Sequence, residues 1–145
     1  MVIEQVLART PEVLGALERL IPQLTHNNPP PAADELDALL KNDSNVLLIA
    51  RHPDEKGQIV GAGSLTIYRV PTGTRAVIED VVVDQASRGL GIGEALMKRL
   101  LELARQRGAR GVSLTSNPRR LAANRLYLRM GFSLRQTNCY YLEFR

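Results

Sequence analysis

Arg88-Gly89-Leu90-Gly91-Ile92-Gly93 lies between a β-branched stretch (Ala76 to Val83) and the clearest helical periodicity in the chain, which begins at its last glycine (Gly93 to Arg107). The first turn of a helix has N–H groups without intrahelical partners, and the helix dipole favours an anion beside them. Glycines let the backbone approach a ligand and take conformations closed to other residues. Arg88 at the entrance adds a charge-assisted contact. The segment therefore reads as a phosphate or pyrophosphate cradle. A tight turn that only joins strand to helix uses the same glycines, and the run alone leaves both readings open. Other nucleotide loops fit less well. A P-loop needs Gly-Lys-Ser/Thr, and this loop has no Lys. A dinucleotide fingerprint needs G-x-G-x-x-G and an acid at the end of the next strand, whereas Val112-Ser113-Leu114-Thr115 carries none.

The rest of the chain supplies the elements around this loop. Met1 to Leu7 reads as a first strand. Thr10-Pro11-Glu12 reads as a helix start, followed by Val13, Leu14, Leu17, Leu20 and Ile21 at helical spacing. Pro22 and Pro29-Pro30-Pro31 are expected to interrupt that helix. A second helix is expected over Ala33 to Leu40, then a turn at Asn42-Asp43-Ser44-Asn45. Val46 to Ala50, Ile59 to Val70 and Ala76 to Val83 read as strands of an antiparallel meander, turned at Pro53 to Gly57 and at Pro71-Thr72-Gly73. The helix from Gly93 to Arg107 carries Leu96, Met97, Leu100, Leu103 and Ala104 on one stripe, with Gly108 as a left-handed cap. Its crossover favours parallel pairing of the following strand, Val112 to Thr115. A helix over Leu121 to Met130, stopped by Gly131, and strands at Phe132 to Leu134 and Cys139 to Phe144 complete the reading. The expectation is one α/β domain over residues 1–145 with a mixed sheet (α+β in that sense): a meander, then a βαβ unit.

Composition narrows the function classes. At 145 residues, 44% apolar and 23% charged, the chain is an ordinary globular one. There is no Trp and little aromatic surface for stacking bases. The lone Cys139 allows no internal disulfide or metal cluster, and is expected to face the core from a strand. No leader or membrane-length apolar run is visible, so a soluble, cytoplasmic protein is expected. The formal charge of +4 is almost all arginine, which suits bidentate phosphate contacts but is also a common route to solubility. His26 and His52 read as solvated loop residues, and Arg119 and Arg120 as a solvated helix start.

Together, Arg88, Gly91 and Gly93 satisfy a Gln/Arg-x-x-Gly-x-Gly/Ala pattern. Ile78-Glu79-Asp80-Val81-Val82-Val83-Asp84 precedes it, and Asn117-Pro118, Ala123-Asn124-Arg125-Leu126-Tyr127 and Gly131-Phe132 follow. In these three motifs the sequence resembles the GNAT superfamily of acetyl-CoA-dependent N-acyltransferases, from about Ile59 to the C-terminus. The resemblance implies that strand four and strand five begin parallel and then splay, leaving a slot for the pantetheine arm of coenzyme A, which pairs with the strand edge like an added strand. It assigns the backbone of Val81, Val82 and Val83 to pantetheine and the thioester carbonyl, with an N–H for the oxyanion. Side-chain packing in the core is the other use of these valines. It assigns Arg88, Gly89, Leu90, Gly91, Ile92 and Gly93 to the pyrophosphate of acetyl-CoA. Asn117, at the end of strand five, and Asn124 are cofactor contacts in the same scheme, and Tyr127 is the donor to the departing sulfur. A buried tyrosine bonded to backbone is the alternative for Tyr127.

An amine acceptor with a pKa of about 10.4, like a lysine side chain, must lose a proton before it attacks. Glu79, alternating with Val77 and Val81, is the candidate base; Asp80 faces the other side unless a bulge re-aims the strand. A surface salt bridge is the plain alternative for either acid. The resemblance thus implies direct acetyl transfer to a small-molecule amine, without metal, nucleic acid or membrane. An amino-sugar phosphate is one candidate acceptor, because Ile-Glu-Asp-Val-Val-Val is similar to the stretch in glucosamine-phosphate N-acetyltransferases. A homodimer through late strands is an expectation from relatives. A non-catalytic acyl-CoA-binding module, a protein or peptide acceptor, and an arginine-based nucleic-acid binder are the competing classes.

Overall fold

The computed structural model describes residues 1–144; Arg145, the last residue of the domain expected over 1–145, lies outside them. The chain divides into two compact units, Met1–Leu114 and Thr115–Arg145. Among the described residues the first unit holds a sheet in the order β1-β2-β3-β4-β5: β1 (Val2–Gln5), β2 (Asn45–His52), β3 (Gln58–Val70), β4 (Gly73–Val83) and β5 (Val112–Ser113). Strands β1 to β4 pair antiparallel, and β5 runs parallel to β4. The expected meander and crossover are therefore present.

Helix α1 (Pro11–Leu24) begins where the local signals put it, with the Thr10 hydroxyl accepting the Val13 N–H at 3.1 Å. Pro22 does not interrupt it. The proline is exposed in the last turn, and Glu18, four residues earlier, whose carbonyl its missing N–H would have reached, is exposed too. Helix α2 (Ala33–Lys41) is tied at its start by the Glu35 carboxylate, which accepts the Ala32 N–H at 2.9 Å. Val13, Ala16, Leu17 and Leu20 of α1 and Leu36 of α2 pack on Leu47, Ile49, Ile59, Ala62 and Val82, forming the core on one face of the sheet.

Helix α3 (Ile92–Gln106) covers the other face, burying Ile92, Leu96, Met97, Leu100 and Ala104. It comes close because β3 offers glycines there. A Cβ on Gly61 would lie 3.1 Å from Ile92 and 3.2 Å from Leu96, and one on Gly63 would lie 3.2 Å from Leu100. The three layers thus fix the start of α3 against the end of β4.

Two register features matter for the site. On β3, Ala62 pairs with Val82 and Ser64 with Glu79, so β4 holds one extra residue opposite Gly63. Asp80, at φ 52°, is in the left-handed region and marks this bulge. In addition, β5 is shorter than expected and meets β4 only at Ala76–Val112 and Val77–Ser113. Residues 78–83 of β4 therefore have no strand on that side among the described residues. Asn117 consequently does not end a strand. It lies in the loop beyond Leu114, where its Oδ1 accepts the Arg119 N–H at 2.9 Å and turns the chain across Pro118.

The second unit contains α4 (Leu121–Arg129), one residue shorter than expected and followed by Gly131 at φ 99°. The strands expected at Phe132 to Leu134 and Cys139 to Phe144 are not formed. Strand propensity is realised only against a partner edge, and here Leu134, Tyr140, Tyr141, Leu142 and Phe144 are 77–91% exposed. Cys139 is likewise exposed and not core-facing. His52 corrects another expectation: it ends β2 half-buried, while His26 is exposed in its loop.

Candidate active site

Asp84 leaves β4 and caps a 3₁₀ turn, Gln85–Ser87, by accepting the Ala86 N–H at 3.2 Å. From here each amide in turn has a protein acceptor. Asp84 N–H meets the Val60 carbonyl at 2.7 Å and Gln85 N–H the Gln23 side-chain carbonyl at 2.8 Å. Ser87 N–H meets the Asp84 carbonyl at 2.8 Å and Arg88 N–H the Gln85 carbonyl at 3.5 Å. The pattern then stops. The amides of residues 89–94 have no acceptor among the described residues, and the helical ladder resumes when Ala95 N–H reaches the Gly91 carbonyl at 3.0 Å.

Gly89 (φ 83°) and Gly91 (φ 79°) make this run possible, since both lie where a side chain is strained. Gly91 is the N-cap of α3 and has no side chain to satisfy the first turn. A real helix start normally finds such a partner. Here the free donors and the positive end of the helix dipole lie next in sequence to the exposed Arg88. Arg88 Nε donates to the Val83 carbonyl at 3.3 Å, which leaves its terminal nitrogens for an anion. Leu90 is 52% exposed, whereas Ile92, the first residue of α3, is buried against β3. Gly93 lies close to β4, where an added Cβ would be 3.6 Å from Val83. The donor set fits a diphosphate, and the unpaired edge of β4 adjoins it.

The bulge decides which way the β4 residues point. Cross-strand partners share a face, so Glu79, opposite Ser64, and Val82, opposite Ala62, project from the α1/α2 side. Val81 lies on the α3 side, 3.4 Å from where a Gly63 Cβ would stand, as does Val83 near Gly93. Glu79 therefore shares its face with Val77 but not with Val81, as a regular strand would have required. Val82 packs in the core while Val81 and Val83 are half-buried. Glu79 and Asp80 are both exposed, and neither forms an ion pair within 4.0 Å among the described residues. The Glu79 carboxyl is raised above the usual glutamate range, first by partial burial and then by the charge of Asp80 beside it.

In the second unit the Asn124 side-chain amide donates to the carbonyls of Asn117 (2.9 Å) and Arg120 (2.8 Å). The two asparagines are thus brought together, and their mutual bond shapes the loop before α4. Tyr127 is buried, 8% exposed, with its ring edge-on to Phe132 at a centroid distance of 5.9 Å. The Phe132 N–H returns to the Tyr127 carbonyl at 3.0 Å. Among the described residues the side-chain hydrogen bonds of this unit run through the asparagines and Tyr140, and none involves the Tyr127 hydroxyl. Gln23 and Asp84, which order the approach to the loop, escaped sequence reasoning. Asp84 two residues before Ala86 was a readable capping signal, whereas nothing local tied Gln23 to the loop.

Residues 14–132 match the sequence profile of the acetyltransferase (GNAT) family. A glucosamine 6-phosphate N-acetyltransferase of Trypanosoma brucei brucei is 44% identical over 79 residues, covering 52% of this chain and 52% of that protein. Glucosamine 6-phosphate N-acetyltransferase 1 of Oryza sativa subsp. japonica is 33% identical over 113 residues, covering 72% of this chain and 65% of that protein. The chain thus spans between about half and two thirds of the length of these relatives. Among solved structures, a Trypanosoma brucei acetyltransferase superposes with a TM-score of 0.76 at 28% identity, covering 97% of this chain and 99% of that one. An aminoglycoside acetyltransferase from an uncultured soil metagenomic sample shares the fold, with a TM-score of 0.79 at 19% identity over 99% and 95% of the two chains.

Proposed function

We propose, from the premise that this chain belongs to the acetyltransferase (GNAT) family, that it is an enzyme transferring the acetyl group of acetyl-CoA to a primary amine. The observation that carries the reading is the change from satisfied amides at residues 84–88 to free ones at 89–94. Gly89, Leu90 and Gly91 are exposed, and residues 92–94 carry the first-turn amides that a helix leaves without intrahelical partners. Six in succession at a helix start, beside Arg88, suit the pyrophosphate of the donor. The β4 edge between residues 78 and 83, unpaired by β5, then suits the pantetheine arm.

In this reading Arg88 and the backbone of Gly89, Leu90, Gly91, Ile92 and Gly93 hold the diphosphate. The backbone of Val81, Val82 and Val83 aligns the thioester, and one of its N–H groups stabilises the oxyanion as the amine attacks. Glu79, with its carboxyl raised toward neutrality, takes a proton from the acceptor ammonium, directly or through water. Tyr127, whose hydroxyl is uncommitted, donates to the departing thiolate. Asn124 and Asn117 complete the cofactor contacts. The relatives' names support an amino-sugar phosphate as acceptor. A metal-free cytoplasmic homodimer, in which residues 1–145 act as one domain on a small-molecule amine and not on nucleic acid or membrane, completes the proposal; no helix of the described residues is long and apolar enough to cross a membrane.

The test is free-thiol release from acetyl-CoA with glucosamine 6-phosphate, unphosphorylated amino sugars, polyamines, amino acids and peptides. The expected result is turnover with the amino-sugar phosphate, lost in Glu79→Gln and Tyr127→Phe while coenzyme A binding persists. Tight binding with no release for any amine would favour a non-catalytic acyl-CoA module, and absence of binding would end the proposal.

A further inference from the structure

The approach to the glycine loop is fastened from behind by α1, through two side chains one helical turn apart. The Arg19 guanidinium lies 3.5 Å from the Asp84 carboxylate and also donates to the Ile59 carbonyl at the start of β3. Among the described residues its buried Nε has no hydrogen-bond partner, and the Asp84 carboxylate is the charge beside it. The Asp84 side chain is only 18% exposed. Four residues on, the Gln23 side-chain carbonyl accepts the Gln85 N–H at 2.8 Å, and the Gln23 amide returns to the Arg19 carbonyl at 3.3 Å. Asp84 in turn holds Ala86 and Ser87. An ion pair from Arg19 to Asp84 and the hydrogen bonds that follow it therefore link α1 to the residue before Arg88.

We infer that Arg19 and Gln23 are positioning residues for diphosphate recognition: they preset the loop at residues 88–93, whose amides from Gly89 on have no acceptor among the described residues. This rests on the reading of that loop as the pyrophosphate site. A loop held in its binding conformation before the ligand arrives loses less freedom on binding. If the loop fluctuates among conformers, the observed affinity falls by the fraction that is competent. The effect is confined to the part of the donor that touches the loop. A donor without the diphosphate is blind to it.

The experiment compares acetyl-CoA with S-acetyl-pantetheine, which has the same thioester arm but no pyrophosphate, for the full chain and for Gln23→Met and Arg19→Met. Gln23→Met removes one acceptor at an exposed N–H and leaves the core intact; its KM for acetyl-CoA is expected to rise about fivefold, the effect of one net hydrogen bond. Arg19→Met is expected to raise it further. In both, kcat stays within about twofold, the mark of lost ground-state binding, and KM for S-acetyl-pantetheine does not move. An equal rise for both donors, or no rise for either in variants of unchanged melting temperature, overturns the inference. A wild type that does not prefer acetyl-CoA to S-acetyl-pantetheine overturns the pyrophosphate reading itself. A preference of unchanged size in both variants removes only the role of Arg19 and Gln23.

Discussion

Glu79 and Val82 project from the same face of β4 although they are three residues apart, because Asp80 is an extra residue opposite Gly63. The bulge does three things at once. It sets two carboxylates side by side, it keeps Val82 in the core under α1, and it turns Val81 and Val83 toward α3. A strand without it would have kept Glu79 in phase with Val81.

With Glu79 as the proposed base, its raised carboxyl gives activity and stability opposite dependences on pH. A base must be deprotonated, so kcat/KM falls as pH drops through the raised folded pKa, sooner than an ordinary glutamate would make it fall. The folded chain binds this proton more tightly than the unfolded one. Stability therefore declines as pH rises from the ordinary glutamate range through the raised value. Glu79→Gln is expected to lower kcat by about 10²–10⁴-fold and to abolish that decline in denaturant titrations. An unchanged kcat would remove Glu79 as the base.

Asp80 contributes charge and conformation separately. Asparagine also tolerates the left-handed region, so Asp80→Asn keeps the bulge and removes the charge that helps to raise Glu79. The acid limb of the kcat/KM profile is expected to move to lower pH with little change in melting temperature. A β-branched side chain does not tolerate φ 52°, and Asp80→Val is expected to cost about 1–2 kcal/mol in urea unfolding.

Gly91 caps α3 at φ 79°. Gly91→Val forces either strain of about 1–2 kcal/mol or a rearranged helix start. Coenzyme A affinity, measured by calorimetry, is expected to fall by at least about tenfold, as several amide contacts lose alignment together. Wild-type affinity in this variant would mean that the loop does not hold the diphosphate.

Away from the site, Arg51 joins β1, α1 and the β2–β3 turn through Glu4 (3.1 Å), Glu12 (2.6 Å) and the Gly57 carbonyl (3.2 Å). The hydrogen bonds from Arg51, more than its charge alone, hold the Glu12 carboxyl below the usual range. Its contribution is present above the ordinary glutamate pKa and is lost as pH falls through the lowered folded value. Glu12→Gln is expected to lower stability at neutral pH and leave the most acid end of the curve nearly unchanged, so that the slope between them flattens; identical curves would show that this bridge contributes nothing.

The local signals were readable from sequence. The Thr10 cap, the apolar stripe of α3, the turns at residues 53–57 and 71–72, and the glycine loop each depend on interactions within about four residues, so the chain's order alone specifies them. Tyr127, Asn124 and Glu79 were found through a motif and not through any physical signal of their own. Only the tertiary structure decided the bulge at Asp80, the two-residue length of β5, the unpaired segment beyond Phe132, and the fastening of Asp84 by Arg19. Each of these depends on a partner far away in the chain. A strand's phase is set by what lies across it and an ion pair by what folds beside it, and neither is encoded in the few residues around the position itself.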